Sequence, residues 1–182
     1  MTHSPDDLYR AIGRVVYEWA LLEDLVDALV FDLTAICSRR FYEDDDIQAP
    51  YILMSSNLDL RANISTAKAL ALHIAEDVPD LFSRLEPVLN RIENEIRNER
   101  NRFVHDRWTL WGDKIVRAKA GTKISREPAT GHPKLDIGSV KEFAQMSDVE
   151  AVADHIFAQN ILIQKVREEL QEAYRQKYPV EE

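Results

Sequence analysis

Covalent and redox chemistry have little to work with in this sequence. A single cysteine, Cys37, excludes an internal disulfide, and its setting in Thr34-Ala35-Ile36-Cys37 suits a small core hydrophobe better than a nucleophile. No stretch approaches the roughly 20 apolar residues that a membrane span requires. Met1 to Arg10 carry Asp6 and Asp7 and no apolar run, so neither a signal nor a transit peptide is expected, and the reading is a cytoplasmic protein with no membrane partner. There is no P-loop, no Gly-x-Ser-x-Gly and no dinucleotide fingerprint. None of the five histidines has a glutamate three positions before it, which removes the Glu-x-x-His di-metal site of helical bundles. His73 and Asp77 share a helix face but lack further ligands, and read as a surface contact. His3, His132 and His155 have no companions that suggest chemistry. No metal and no cofactor are expected.

What is present is helical periodicity. With 182 residues, 45% of them hydrophobic, the chain can bury one core, and residues 1–182 read as a single domain. Ser4, Pro5 and Asp7 form a capping box for a first helix, whose apolar positions from Val15 through Trp19, Leu22, Val26 and Leu33 run to about Cys37. The acidic run Glu43 to Asp46 reads as a solvated connector. A second helix is expected from about Ser55 to Asp77. A third runs from Pro79-Asp80 to about Asp106, with Pro87 either kinking it or dividing it into a short and a long piece. From about 108 to 146 glycine and proline punctuate short β-prone stretches, Lys114 to Arg117 and Lys123 to Ser125, which predict one or two hairpins. Ser147 to Glu150 is read as a capping box for a last helix reaching about Lys177. The fold class is therefore mainly α: an antiparallel four- to five-helix bundle with a small β-hairpin insertion between the third and last long helices.

Such a fold says little about activity, and the charge pattern says more. A net charge of −9 disfavours a nucleic-acid partner, because phosphate binding draws on lysine and arginine. The average hides an asymmetry. Residues 97 to 126 hold nine basic groups against three acidic ones, a surplus of six, so the rest of the chain carries a net −15. Taken alone, this is a solvated hairpin with surface lysines. The basic segment, however, begins at Arg100-Asn101-x-x-x-His105.

Projected at about 100° per residue, Leu85, Ile92, Ile96 and Phe103 share one arc facing the core. Asn101, His105 and, if the helix persists, Trp108 fall on nearly the opposite side, with Arg97 and Val104 nearby and Arg100 between the faces. His105 is thus off the packing stripe. Asparagine and histidine four residues apart are neighbours, and the arginine stem is long enough to bring its guanidinium beside them. The set suits RNA cleavage: imidazole moves a proton near neutral pH, and guanidinium stabilises charge building on phosphorus as the ribose 2′-hydroxyl attacks. No metal is needed. One histidine supplies a base or an acid, so a single motif per chain predicts a two-fold homodimer with the third helices facing each other. The plainer reading is that His105 and Asn101 brace the helix end while Arg100 makes a surface ion pair.

Arg100-Asn101-Arg102-Phe103-Val104-His105 resembles the signature of HEPN domains, small helical bundles with an arginine, often an asparagine, and a histidine four to six residues beyond the arginine. Gly13 to Glu23 also looks like the first helix of one HEPN-like subgroup. The resemblance implies a metal-independent endoribonuclease acting through a composite dimeric site, often in toxin or defence roles with an antitoxin or inhibitor protein as partner. It also covers members that have lost catalysis and act as binding modules for a nucleotide, nucleic acid or protein. It implies that Arg100 and His105 are catalytic and Asn101 supporting. Arg97, eight residues from His105, is outside the family spacing and is at best a phosphate contact, in company with Arg102, Arg107 and Lys114. Glu23, at the edge of the first helix's apolar face, is expected to pair with Arg100 or Arg61, or to remain partly exposed. Trp108 either stacks on a base or packs against the helix end.

Overall fold

A computed structural model describes residues 4–41, 59–75, 78–105, 107–111, 114–126 and 133–177. The chain is mainly helical: α1 (Pro5–Phe41), α2 (Leu60–His73), α3 (Leu81–Arg91), a π-helical turn (Ile92–Ile96), α4 (Arg97–Val104), β1 (Arg107–Trp111), β2 (Lys114–Arg126), β3 (Pro133–Ala144) and α5 (Met146–Lys177). The strands form one antiparallel sheet in the order β1-β2-β3, inserted between the third helical run and the last helix. No described helix is long and apolar enough to cross a membrane.

The long helices are laid out by a seven-residue apolar repeat. On α1, Leu8, Val15, Leu22, Leu29 and Ile36 are buried, with Trp19, Val26 and Leu33 completing the stripe. On α5, Val149, Ile156, Ile163 and Leu170 repeat at the same interval and are all fully buried. Stripes of this period keep two helices in contact over many turns. Polar pairs set their direction. Arg14 Nη2 meets Asp154 Oδ1 at 2.7 Å, Asn160 Nδ2 donates to the Glu18 carboxylate at 3.0 Å, and Arg167 Nε donates to Asp32 at 2.7 Å. Partner numbers rise together, so α1 and α5 run in the same direction. Arg84 bonds Glu169 while Glu99 meets His155, so the third helical run lies antiparallel to both.

Helix starts follow capping chemistry. Asp7 N–H donates to Ser4 Oγ at 3.2 Å while the Asp7 carboxylate accepts from Ser4 N–H at 2.9 Å, the reciprocal box expected of α1. The box of α5 is displaced from its expected place. Asp148 Oδ2 accepts from Gln145 N–H at 2.8 Å, so the helix opens at Met146 and Ser147 lies inside it. The start of α2 is set by Asp59, whose side chain accepts from Ala62 N–H at 2.8 Å; residues 55–58, where a start near Ser55 was expected, lie outside the described residues. Asp59→Ala is expected to lower stability by about 1 kcal/mol, read as a lower urea midpoint at unchanged slope.

Pro87 sits exposed within α3, and the helical run passes through it. The irregularity comes one turn later, where Arg97 N–H bonds the Ile92 carbonyl in a π-type turn. The run ends at Val104, two residues before the expected limit of Asp106, with His105 N–H still bonded to the Asn101 carbonyl. Trp108 therefore belongs to β1. Lys114 to Arg117 and Lys123 to Ser125, expected as separate short stretches, belong to one 13-residue strand, because Gly121 stays in the ladder opposite Gly138 instead of forming a turn.

Candidate active site

The apolar spacing of the third run turns Ile92, Ile96 and Phe103 inward and leaves Arg100 half-buried against α1 and His105 exposed at the helix end. Arg100 Nη1 lies 3.1 Å from Asn101 Oδ1 and 3.0 Å from His105 Nε2. Guanidinium N–H groups only donate, so in this geometry Nε2 accepts and the neutral ring carries its proton on Nδ1. One nitrogen with two hydrogens thus ties the three motif residues together.

The guanidinium is seated on a second helix. Arg100 Cζ lies 5.3 Å from the centroid of the Trp19 ring, a cation–π contact, and Trp19 is 4% exposed. The indole N–H donates to Glu23 Oε1 at 2.7 Å, one helical turn on. Glu23, then Trp19, then Arg100 form a chain of contacts leading to the imidazole. This corrects the expectation that Glu23 pairs with Arg100 or Arg61: the carboxylate accepts a hydrogen bond from the indole N–H, and Arg61 Nε bonds Glu93 at 3.0 Å. Trp19 was legible in the sequence only as a core residue. The signal for its further role was the acceptor four positions later, within reach of an indole on the same helix face.

Arg100 Nε is buried with no hydrogen-bond partner among the described residues, an arrangement that costs stability. Arg97 is half-buried and Arg102 exposed, with the Arg102 guanidinium carbon 5.9 Å from the Phe103 ring centroid. Trp108 stacks on Phe103 at 4.9 Å between centroids and 17° between planes, and packs against the core. One face of its ring is therefore occupied by protein. Arg107 and Lys114 are the first residues of β1 and β2; their side chains lie outside the described residues.

His155 does have a companion, contrary to the sequence reading. Its Nδ1 lies 3.1 Å from Glu99 Oε2, a contact between residues far apart in the chain that local spacing does not reveal. Glu99 reaches α5 while Arg100 reaches α1, so this pair and the Arg100 cluster occupy different sides of α4. Among the described residues, no group of three or more histidine, cysteine, aspartate or glutamate side chains is arranged to hold a metal ion. Comparison with family models, with curated proteins and with solved structures finds no match to this chain.

Proposed function

We propose that the chain is a HEPN-like, metal-independent endoribonuclease, working in the cytoplasm as a homodimer whose two Arg100-His105 motifs complete one site. The observation that carries the reading is the 3.0 Å contact between the Arg100 guanidinium and His105 Nε2. An arginine that merely braced a helix end would have no need of an aromatic seat and an imidazole at once.

The chemistry runs through the substrate's own 2′-hydroxyl. An incoming phosphodiester draws the Arg100 guanidinium onto a non-bridging oxygen, which releases the Nε2 lone pair. His105 then takes the 2′-hydroxyl proton as O2′ bonds to phosphorus. The bond from phosphorus to O5′ breaks, and O5′ takes a proton from the second copy's His105, which enters the step as the imidazolium, leaving a 2′,3′-cyclic phosphate and a 5′-hydroxyl. Asn101 holds the guanidinium between the two tasks. Support for a second copy beside the site comes from α1, where Tyr9 and Val16, 69% and 41% exposed, precede Glu23 at seven-residue spacing. That strip adjoins the turn bearing Trp19.

The deciding experiment incubates single-stranded RNAs of varied sequence with the protein in excess chelator and examines the product ends. Cyclic phosphate termini support the reading; intact RNA throughout overturns it in favour of a non-catalytic HEPN-like module. Glu23→Ala frees the indole without touching the motif. It is expected to lower kcat about tenfold while changing stability by about 1 kcal/mol, the net worth of one hydrogen bond.

A further inference from the structure

The sheet outgrows its third strand. β1 pairs with β2 only from Arg107↔Ala118 to Trp111↔Lys114, whereas the β2–β3 ladder continues unbroken to Arg126↔Pro133. The eight register pairs from Lys119↔Val140 to Arg126↔Pro133 have no strand of β1 beside them. At about 3.4 Å per residue they make a two-stranded arm on the order of 25 Å long. Its root adjoins the candidate active site, since β1 begins two residues after His105.

Direct partners in an antiparallel ladder share a face, and successive positions alternate between faces. The register therefore assigns Lys119, Lys123 and Lys134 to one face of the arm, with Asp136 as the acidic position among them. The other face takes Ala120, Thr122, Ile124, Leu135 and Ile137. The arm holds four basic residues, Lys119, Lys123, Arg126 and Lys134, against one acidic residue, in a chain whose net charge is −9. Between the Lys119 and Lys123 positions, on the same face, Gly121 pairs with Gly138. Glycine weakens a strand interior, and two facing each other leave bare backbone that another backbone can approach closely.

We propose that the β2–β3 arm is a docking ribbon for single-stranded RNA, its lysine face tracking phosphates and the Gly121–Gly138 pair admitting the sugar-phosphate chain. The identity of the polyanion rests on the ribonuclease reading; the ribbon itself rests on register and charge. Lys119 and Lys123 stand four positions apart on β2, with Lys134 further along the same face on β3, a spaced row of cations that suits a repeating phosphate, and the glycine pair between the first two gives a polynucleotide chain the clearance that lysines alone would not.

The test measures binding of a labelled 2′-O-methyl oligoribonucleotide, which cannot be cleaved through its 2′-position, by fluorescence anisotropy across a salt series. Each phosphate contacted on a single strand contributes about −0.7 to the slope of log affinity against log salt. The triple variant Lys119→Gln, Lys123→Gln, Lys134→Gln is expected to flatten the slope by about 2 and weaken binding at least tenfold in low salt. Gly121→Val leaves the charge untouched and is expected to weaken binding severalfold with little change in slope. Circular dichroism checks that both variants keep the wild-type fold, which is the expected result. A triple variant that binds with wild-type affinity and slope overturns the ribbon, as does a wild-type chain that binds polyglutamate in place of RNA. Failure of the ribbon and failure of the enzyme reading are separable. Arm-dependent binding without cleavage of unmodified RNA sustains the ribbon and removes the ribonuclease; cleavage with arm-independent binding does the reverse.

Discussion

Alanine at His105 is expected to slow RNA cleavage about a thousandfold, and alanine at Arg100 by a few hundredfold, both measured as kcat on one oligonucleotide in chelator. The first figure follows from losing a positioned proton acceptor, which contributes about 10²–10⁴ in rate. The second follows from losing a donor that meets charge appearing only in the transition state, about 10²–10³. His105 is exposed and Arg100 half-buried, so the two variants differ in how much packing they disturb. His105→Ala is expected to unfold at the wild-type urea concentration. Arg100→Lys separates charge from geometry: an ammonium keeps the positive charge but loses the planar fork that reaches Asn101 and His105 together. It is expected to stay nearly as slow as Arg100→Ala. Full activity in Arg100→Lys would assign the arginine to bulk electrostatics alone, and full activity in His105→Ala would leave the proposed reaction without its base.

Leu29→Ala is expected to cost about 3 kcal/mol, the largest stability loss proposed for a single substitution here. Leu29 is fully buried in the second half of α1, on the stripe that packs against the rest of the bundle. Truncating such a side chain loses its transfer free energy and leaves a cavity the rigid helices close only in part, a loss of about 2–5 kcal/mol in comparable cores. Urea unfolding should show a lower midpoint at unchanged slope. Tyr17→Ala is the control. Tyr17 lies on the same helix but is 67% exposed, and its truncation should move stability by less than about 0.5 kcal/mol. A shared cost for the two would mean that the side of α1 bearing Tyr17, about 100° round the helix from the Tyr9–Val16 strip, is covered in solution as well.

The fold was readable where one helix face is buried and its neighbours are wet. The repeat from Val15 to Leu33 and the Ser4–Asp7 box announce α1 because burial and capping act through residues three or four apart. Direction was legible only in part: an antiparallel bundle was expected, and the third run does oppose α1 and α5, but those two run the same way. That α1 and α5 run the same way depends on Glu18 finding Asn160 and Asp32 finding Arg167, pairings that chain spacing does not encode. Glycine misled the reading of the sheet: Gly121 looks like a break between two short strands, and only its partner Gly138 keeps it in line. At the site, Arg100, Asn101 and His105 were legible as a set because one helix carries all three. Trp19, which seats the guanidinium, comes from a different helix and declared itself only through packing; Glu23 was legible as a candidate, but with Arg100 or Arg61 as its partner in place of Trp19.

The π-type turn at Ile92–Ile96 has a consequence for how this chain tolerates change. A regular helix advances about 100° per residue, and the wider turn holds back close to one residue's worth of rotation. Everything downstream inherits that phase, including the side of α4 on which Arg100 meets Trp19. Deleting one codon between 92 and 96 is therefore expected to let the run close as a regular helix with the arginine still on its aromatic seat, whereas adding one would swing it off. The wide turn is thus a place where the third run can lose a residue without moving the cluster.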